Sequence, residues 1–522
     1  MFLPDDSIYF DNWRRVQHLD DQIEQAKIHQ TKMLDGSIYK CEDSTHEATD
    51  FWQFLPVYVG ELHAQNTELK YSGQCFTDAT ISLAFSQSAE NGKTNLKVKI
   101  DVHSKKSLFC QENLFLTTGD VHHIENLFLP RLHTIEFLNL RQDELDDIRV
   151  NGFLVYMFCH GVSDSFVSLF NTIKLFLGGL GSDPRWPIIG SHVPAYMEKA
   201  NLKFLEHAMN WKMEPRKTQK VWLTEDQIHD GDFITIVRLD GLDEIIMWGT
   251  GSHSGHSVVV LTLDGEKYVV ESQDGWYWPR QDIQRTPWKK WMEYAENADF
   301  NAAILPLKDE YREKFNQPAA EAWFKWMEGY PYGYHNFVYS WIDTPEHNWP
   351  SLMPIKLIPV LLDIIERIMP AAVNSIFTEG LNMRLGTRGL NIREITMEAS
   401  SRNMTLEDVM AIPERDTWIY SDGPSQMCSA LVAGVYKAAG LFDDLKIEAT
   451  EFTPKDVYQL AIFNTTAVRP EQCVLADPDL PYCQILGKYR LTLPGLSTIP
   501  IYEHMNNHCP SQDPDYFRPE GC

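Results

Sequence analysis

The chain is short of basic residues. Its 73 Asp and Glu stand against 46 Lys and Arg, a formal net charge of −27 over 522 residues. That imbalance repels a phosphate backbone, so no nucleic-acid partner is expected, and it disfavours an anionic membrane surface. No uncharged run reaches membrane-spanning length. The longest apolar segment, Leu352 to Ile376, carries Lys356, Asp363, Glu366 and Arg367. It reads as an amphipathic core segment, helical between Pro359 and Pro370, and no membrane span is expected. Met1-Phe2-Leu3-Pro4-Asp5-Asp6 has no apolar h-region, so no signal peptide is visible. The glycine-rich loop Gly249-Thr250-Gly251-Ser252-His253-Ser254-Gly255 lacks the Lys of a phosphate cradle and the order of a dinucleotide fingerprint. Its glycines are expected to let the backbone approach a substrate. His63, His103, His122, His123 and His133 fall at no metal-ligand spacing. No metal or cofactor is expected.

Hydrophobic residues make up 43% of the chain and aromatics 12%, with 15 Trp, enough for a globular protein of two or three domains. Nine cysteines are present: Cys41, Cys75, Cys110, Cys159, Cys428, Cys473, Cys483, Cys509 and Cys522. The last four crowd into a Pro-rich end, the pattern of a disulfide-stapled segment in an oxidising compartment. Setting Cys428 aside leaves an even set, which singles it out as a free thiol; nine reduced cytosolic thiols are the alternative. The sequons at Asn403 and Asn464 are compatible with a secreted glycoprotein. A secreted or lysosomal location is expected.

The pattern of elements indicates an α+β protein. Residues 1–215 read as a β-rich accessory domain with helical segments, including a polar helical lead from Trp13 to Met33. Phe54–Val59, Ala79–Phe85 and Leu96–Val102 read as its strands, with some of Cys41, Cys75 and Cys110 bridged. Residues 216–465 read as a second domain with a large insertion at about 300–415, and 466–522 as a Cys-rich tail. Cys159 and His160 are adjacent, and adjacent side chains diverge on a strand or helix, so they make a poor catalytic dyad.

The chemistry concentrates in two places. Ser425 to Gly440 reads as a helix capped by Ser425, with an apolar stripe of Leu431, Val432, Val435 and Ala439 and with Gly440 just past its end. Cys428 falls in its first turn, where the helix dipole favours a reactive thiolate. Upstream, Gly231-Asp232 turns into a strand from Phe233. Then His256–Leu263 and Glu266–Gln273 flank Asp264-Gly265, a strong hairpin signal. A two-residue turn sets Leu263 opposite Glu266, Val260 opposite Val269 and His256 opposite Gln273. Side-chain alternation then puts His256 on one face with Glu271 on the diagonal, where a carboxylate can orient the imidazole. Gln273 offers a neutral alternative to Glu271, and His253 an alternative base.

A Gly-Asp strand, a Ser-Gly-His strand opening, a Glu one hairpin later and Cys-Ser-Ala-Leu-Val at a distant helix start resemble, in that order, the circularly permuted papain-fold hydrolases. That group includes NlpC-like, YiiX-type enzymes and lecithin retinol acyltransferase. The resemblance spans about residues 222–441. It implies a permuted papain-like (NlpC-type) domain in which Cys428 is the nucleophile, His256 the general base and Glu271 the residue that orients it. It further implies a thiol hydrolase, a cysteine peptidase or amidase acting on a peptide or other acyl/amide substrate. A lipid acyltransferase or esterase is the alternative within the fold. A non-catalytic secreted glycan-binding protein, all of whose cysteines are structural, is the alternative outside it. The separation of 172 positions from His256 to Cys428 exceeds what compact members need, and the residues between them number 171. They include the block Trp276-Tyr277-Trp278 to Trp291 and the segment Gly329 to Phe337, whose aromatics wall either a substrate groove or a core.

Overall fold

A computed structural model describes residues 57–158, 192–337 and 370–501, apart from short stretches within them, of which 274–281 is the longest, together with a few isolated residues between these ranges. The expected helical lead, Cys41, Cys159-His160, Trp276 to Trp278, Cys509, Cys522 and most of Leu352 to Ile376 lie outside the described residues. The architecture is α+β, with three antiparallel sheets and helices packed on them.

The N-terminal part forms two four-stranded sheets. Their strands are β1 (Val57–Leu62), β2 (Glu68–Tyr71), β3 (Phe76–Gln87), β4 (Thr94–Lys105), β5 (Glu112–Thr117), β6 (His122–Leu127), β7 (Leu132–Leu140) and β8 (Phe153–Phe158). The orders are β1-β8-β5-β6 and β2-β3-β4-β7. Leu96, Val98, Ile100 and Val102 alternate along β4 and are buried, as the period-two pattern requires. They join Leu114 and Leu116 of β5 and Val155 and Met157 of β8 in one core, so the two sheets share their interior. A disulfide joins Cys75 to Cys110 beside it.

The third sheet has six strands in the order β12-β11-β10-β9-β13-β14. These are β9 (Phe233–Val237), β10 (His256–Leu263), β11 (Glu266–Ser272), β12 (Ile283–Pro287), β13 (Asn301–Leu305) and β14 (Cys483–Leu486). The β10–β11 register is the one the turn dictates, with Leu263 opposite Glu266 and Val260 opposite Val269. Asp264 and Gly265 both take positive φ, 53° and 87°, as a type I′ turn demands. One face of the sheet carries Val259, Leu261 and Val270 under the helices Gln317–Met327 and Cys428–Ala438. The other carries Val258, Val260 and Val269 over Trp288, Trp291 and Met292.

Two expectations are corrected here, and one open alternative is decided. The inserted segment does not begin near 300, because β13 is an interior strand between β9 and β14 and the helix Gln317–Met327 packs on β10. Residues 466–501 are no separate tail: β14 closes the sheet edge, Ile485 and Leu486 enter its core, and Cys473 and Cys483 are bridged there. Trp288 and Trp291 are buried and stacked at 6.0 Å, core rather than groove wall. Among the described residues no helix is long and apolar enough to cross a membrane. The two disulfides fit the oxidising compartment expected of a secreted protein.

Candidate active site

Cys428 is the first residue of the helix Cys428–Ala438 and the free cysteine among the described residues, 3% exposed. Ser425 does not cap this helix. The N-cap position belongs to Met427, which has no side-chain oxygen to offer, and Gly440 follows the C-terminus with φ 81° as expected. The first-turn N–H groups of any helix lack carbonyl partners within it, so this end presents donors beside the sulfur. The whole span Cys428–Tyr436 is buried, broader than one apolar stripe, because a sheet, a helix and the chain around Phe452 enclose it.

Two contacts fix the residues just before Cys428. Ser272 Oγ, at the end of β11, donates to the Gln426 carbonyl at 2.7 Å. Gly333 N–H donates to the same carbonyl at 3.1 Å. A Cβ on Gly333 would lie 2.4 Å from Gln426 N, so only glycine admits this approach. Thus the segment Gly329 to Phe337 reaches the site through its backbone, with Tyr332 and Tyr334 packed on Met427 and Ala430.

His256 opens β10 and pairs across to Ile236 of β9. Its Nε2 donates to Glu271 Oε2 at 3.4 Å, and both side chains are buried. Gln273 does not take the carboxylate's place; its Nε2 donates to the same Glu271 oxygen at 2.6 Å, behind the pair. Burial alone would drive the imidazole towards its neutral form. Hydrogen bonding and electrostatic attraction from Cys428 and Glu271 outweigh that and raise the His256 pKa to about 10. The three residues singled out from the sequence therefore meet in one buried cluster, with the ring held as an imidazolium.

His253 is elsewhere. Its ring stacks on Trp211 at 3.9 Å, and Nδ1–H donates to the Thr492 carbonyl at 2.9 Å. Burial lowers its pKa to about 3, so it is a neutral packing residue. The glycines around it also have structural uses. Gly251, with φ 62°, ends a helix Leu242–Thr250 that the sequence pattern did not reveal, and a Cβ on Gly255 would strike the Asp243 carboxyl at 2.2 Å.

No family model matches the chain, and no curated protein matches it. Among solved structures it is similar to the metalloprotein YiiX of Escherichia coli O157:H7, at 17% identity and a TM-score of 0.16, over 28% of this chain and 68% of that one. Among the described residues no group of three or more His, Cys, Asp or Glu is disposed to hold a metal ion.

Proposed function

We propose that the protein is a cysteine-dependent hydrolase of amide bonds with a permuted papain-like arrangement, acting in a secretory or lysosomal compartment. The observation that carries this reading is the buried cluster of the free Cys428, His256 and Glu271, in which His256 Nε2 bonds Glu271 Oε2 and the ring also interacts with Cys428. In the first half-reaction the Cys428 sulfur attacks the acyl carbon, and first-turn N–H groups of its helix stabilise the developing oxyanion. The imidazolium gives its proton to the departing amine, leaving a thioester. In the second, neutral His256 takes a proton from water as the oxygen attacks the thioester. The acid leaves and the thiolate–imidazolium pair is restored. Glu271 holds the ring in one orientation throughout.

The glycan-binding alternative needs Cys428 to be bridged, and its free thiol counts against that. The lipid alternative would need an apolar site for an acyl chain, and the longest apolar segment, Leu352 to Ile376, lies mostly outside the described residues. The test is Cys428→Ala: hydrolysis of amide substrates and labelling by iodoacetamide should both vanish while the fold persists. Survival of activity in that variant sinks the reading.

A further inference from the structure

One turn of the N-terminal part serves neither the site nor a core. Phe128-Leu129-Pro130-Arg131 joins β6 to β7, the edge strands of the two four-stranded sheets. Turns ordinarily draw on Gly, Pro, Asn, Asp and Ser, each of which favours the bend, and only Pro130 here is of that kind. Leu127 and Ile135 on either side enter the shared core. Phe128, Leu129 and Leu132 stay out of it, 47%, 50% and 53% exposed. The corner is braced from beneath. Lys105 Nζ, at the end of β4, donates to the Phe128 carbonyl and stands 4.0 Å from the centre of that ring. His133 Nε2 donates to the Leu129 carbonyl at 3.3 Å. Large apolar side chains clustered at one exposed corner mark a contact surface.

The charges at this end select the partner. Arg131, whose carbonyl accepts from Val102 N–H of β4, is exposed and forms no ion pair among the described residues. Lys105 and Lys106 end the same strand, and Lys106 Nζ donates to the Gly73 carbonyl at 2.9 Å. The turn itself carries no carboxylate. Glu125 lies between His123 and His133, at 3.0 and 2.9 Å. Asp101, 3.4 Å from His103, sits four residues back from Lys105, on the order of 13 Å along the strand. Asp78 faces the same histidine across β3 and β4. An apolar tip beside cations matches a phospholipid surface, where acyl chains lie beneath anionic phosphates. The net charge of −27 repels such a surface as a whole. At physiological ionic strength, however, a charge acts over about 8 Å, so a projecting tip meets lipid through its own charges. We propose that the β6–β7 turn docks the protein on an anionic phospholipid bilayer. Phe128, Leu129 and Leu132 enter the acyl boundary, and Lys105, Lys106 and Arg131 lie at the phosphates. This assignment stands without the Cys428 reading.

The test is flotation of the full chain with vesicles of equimolar phosphatidylcholine and phosphatidylserine, and with vesicles of phosphatidylcholine alone. The unmodified protein should float with the mixed vesicles and more weakly with the neutral ones. Joint Phe128→Ser and Leu129→Ser should cut partitioning about tenfold or more on both, the scale of burying a large apolar side chain. Arg131→Glu should cut it about tenfold on the mixed vesicles and little on the neutral ones. Leu138→Ser, at a position 63% exposed but at the far end of β7, should leave partitioning unchanged. The replaced side chains are exposed, so the circular dichroism of every variant should match the unmodified protein. Failure of the unmodified chain to float, undiminished flotation of the double serine variant, or an equal loss in Leu138→Ser overturns the assignment. Undiminished flotation of Arg131→Glu with the mixed vesicles overturns the part given to charge.

Discussion

His253 and His256 lie three residues apart and meet opposite environments. Burial against Trp211 drives one pKa down to about 3, and Cys428 and Glu271 raise the other to about 10. The two shifts act on stability with opposite signs. An unfolded histidine releases its proton near pH 6.5. Above that pH the native state retains the His256 proton longer than the unfolded chain does. The stability it contributes is therefore complete below about 6.5 and is lost as pH rises towards 10. For His253 the unfolded chain binds the extra proton, so stability falls as pH drops below about 6.5 towards 3. Urea midpoints measured from pH 7 to pH 10 should fall more steeply for the unmodified protein than for His256→Gln; parallel curves would count against the imidazolium. Glu271→Gln should lower kcat/KM by about 10²–10⁴-fold, the range of a lost orienting or acid–base contribution. Gln273→Ala should cost less, because Gln273 bonds Glu271 rather than the ring; the two variants' pH–rate profiles decide it. The pairing of His256 with Glu271 was legible from hairpin geometry. What was not legible is why His253 is unavailable, since Trp211 and the Thr492 carbonyl lie far away in the chain.

Among the elements, the β10–β11 hairpin was the most readable, because Asp264-Gly265 sets both turn type and register locally. The Cys428 helix was readable in extent at its C-terminus, where Gly440 takes the left-handed conformation. It was misread at its start, where Met427 rather than Ser425 holds the N-cap position and Ser272 and Gly333 donate to the Gln426 carbonyl just before it. Those contacts give the element-scale prediction. Gly333→Ala puts a Cβ against the Gln426 backbone and must shift the residues that carry Cys428. Misplacing a reacting group by about 1 Å costs on the order of 10²-fold. The variant should therefore lose roughly that much kcat while its far-ultraviolet circular dichroism stays unchanged; full activity would mean that the approach does not position the sulfur. The Trp block shows the limit of pattern reading. Trp288 and Trp291 sit on a helix whose buried face covers the sheet. Aromatic density in a sequence does not say whether a ring faces solvent or core.

At the scale of the molecule, two antiparallel sheets with a shared core precede a six-stranded sheet that bears the site. The strand patterns of the first part were legible because each strand alternates by itself. The composition of the six-stranded sheet was not, because β13 and β14 pair across 178 residues, Ile304 opposite Cys483, and no local signal encodes such a partner. Breaking Cys473–Cys483 by paired alanine substitutions should lower the unfolding free energy by about 2–4 kcal/mol, read from denaturant unfolding under non-reducing conditions; an unchanged midpoint would mean that the edge strand holds without its clip. The position of β14 also bears on the order of synthesis. Helix Cys428–Ala438 is made before the strand that completes the sheet edge and before Thr492, whose carbonyl holds His253 three residues from His256. Chains still emerging from a ribosome therefore carry the sulfur and the imidazole before the frame that fixes their separation is finished. Contacts of such long sequence separation form late. On the proposed reading, the carbonyl that holds His253, three residues from His256, is supplied only once Thr492 has been made.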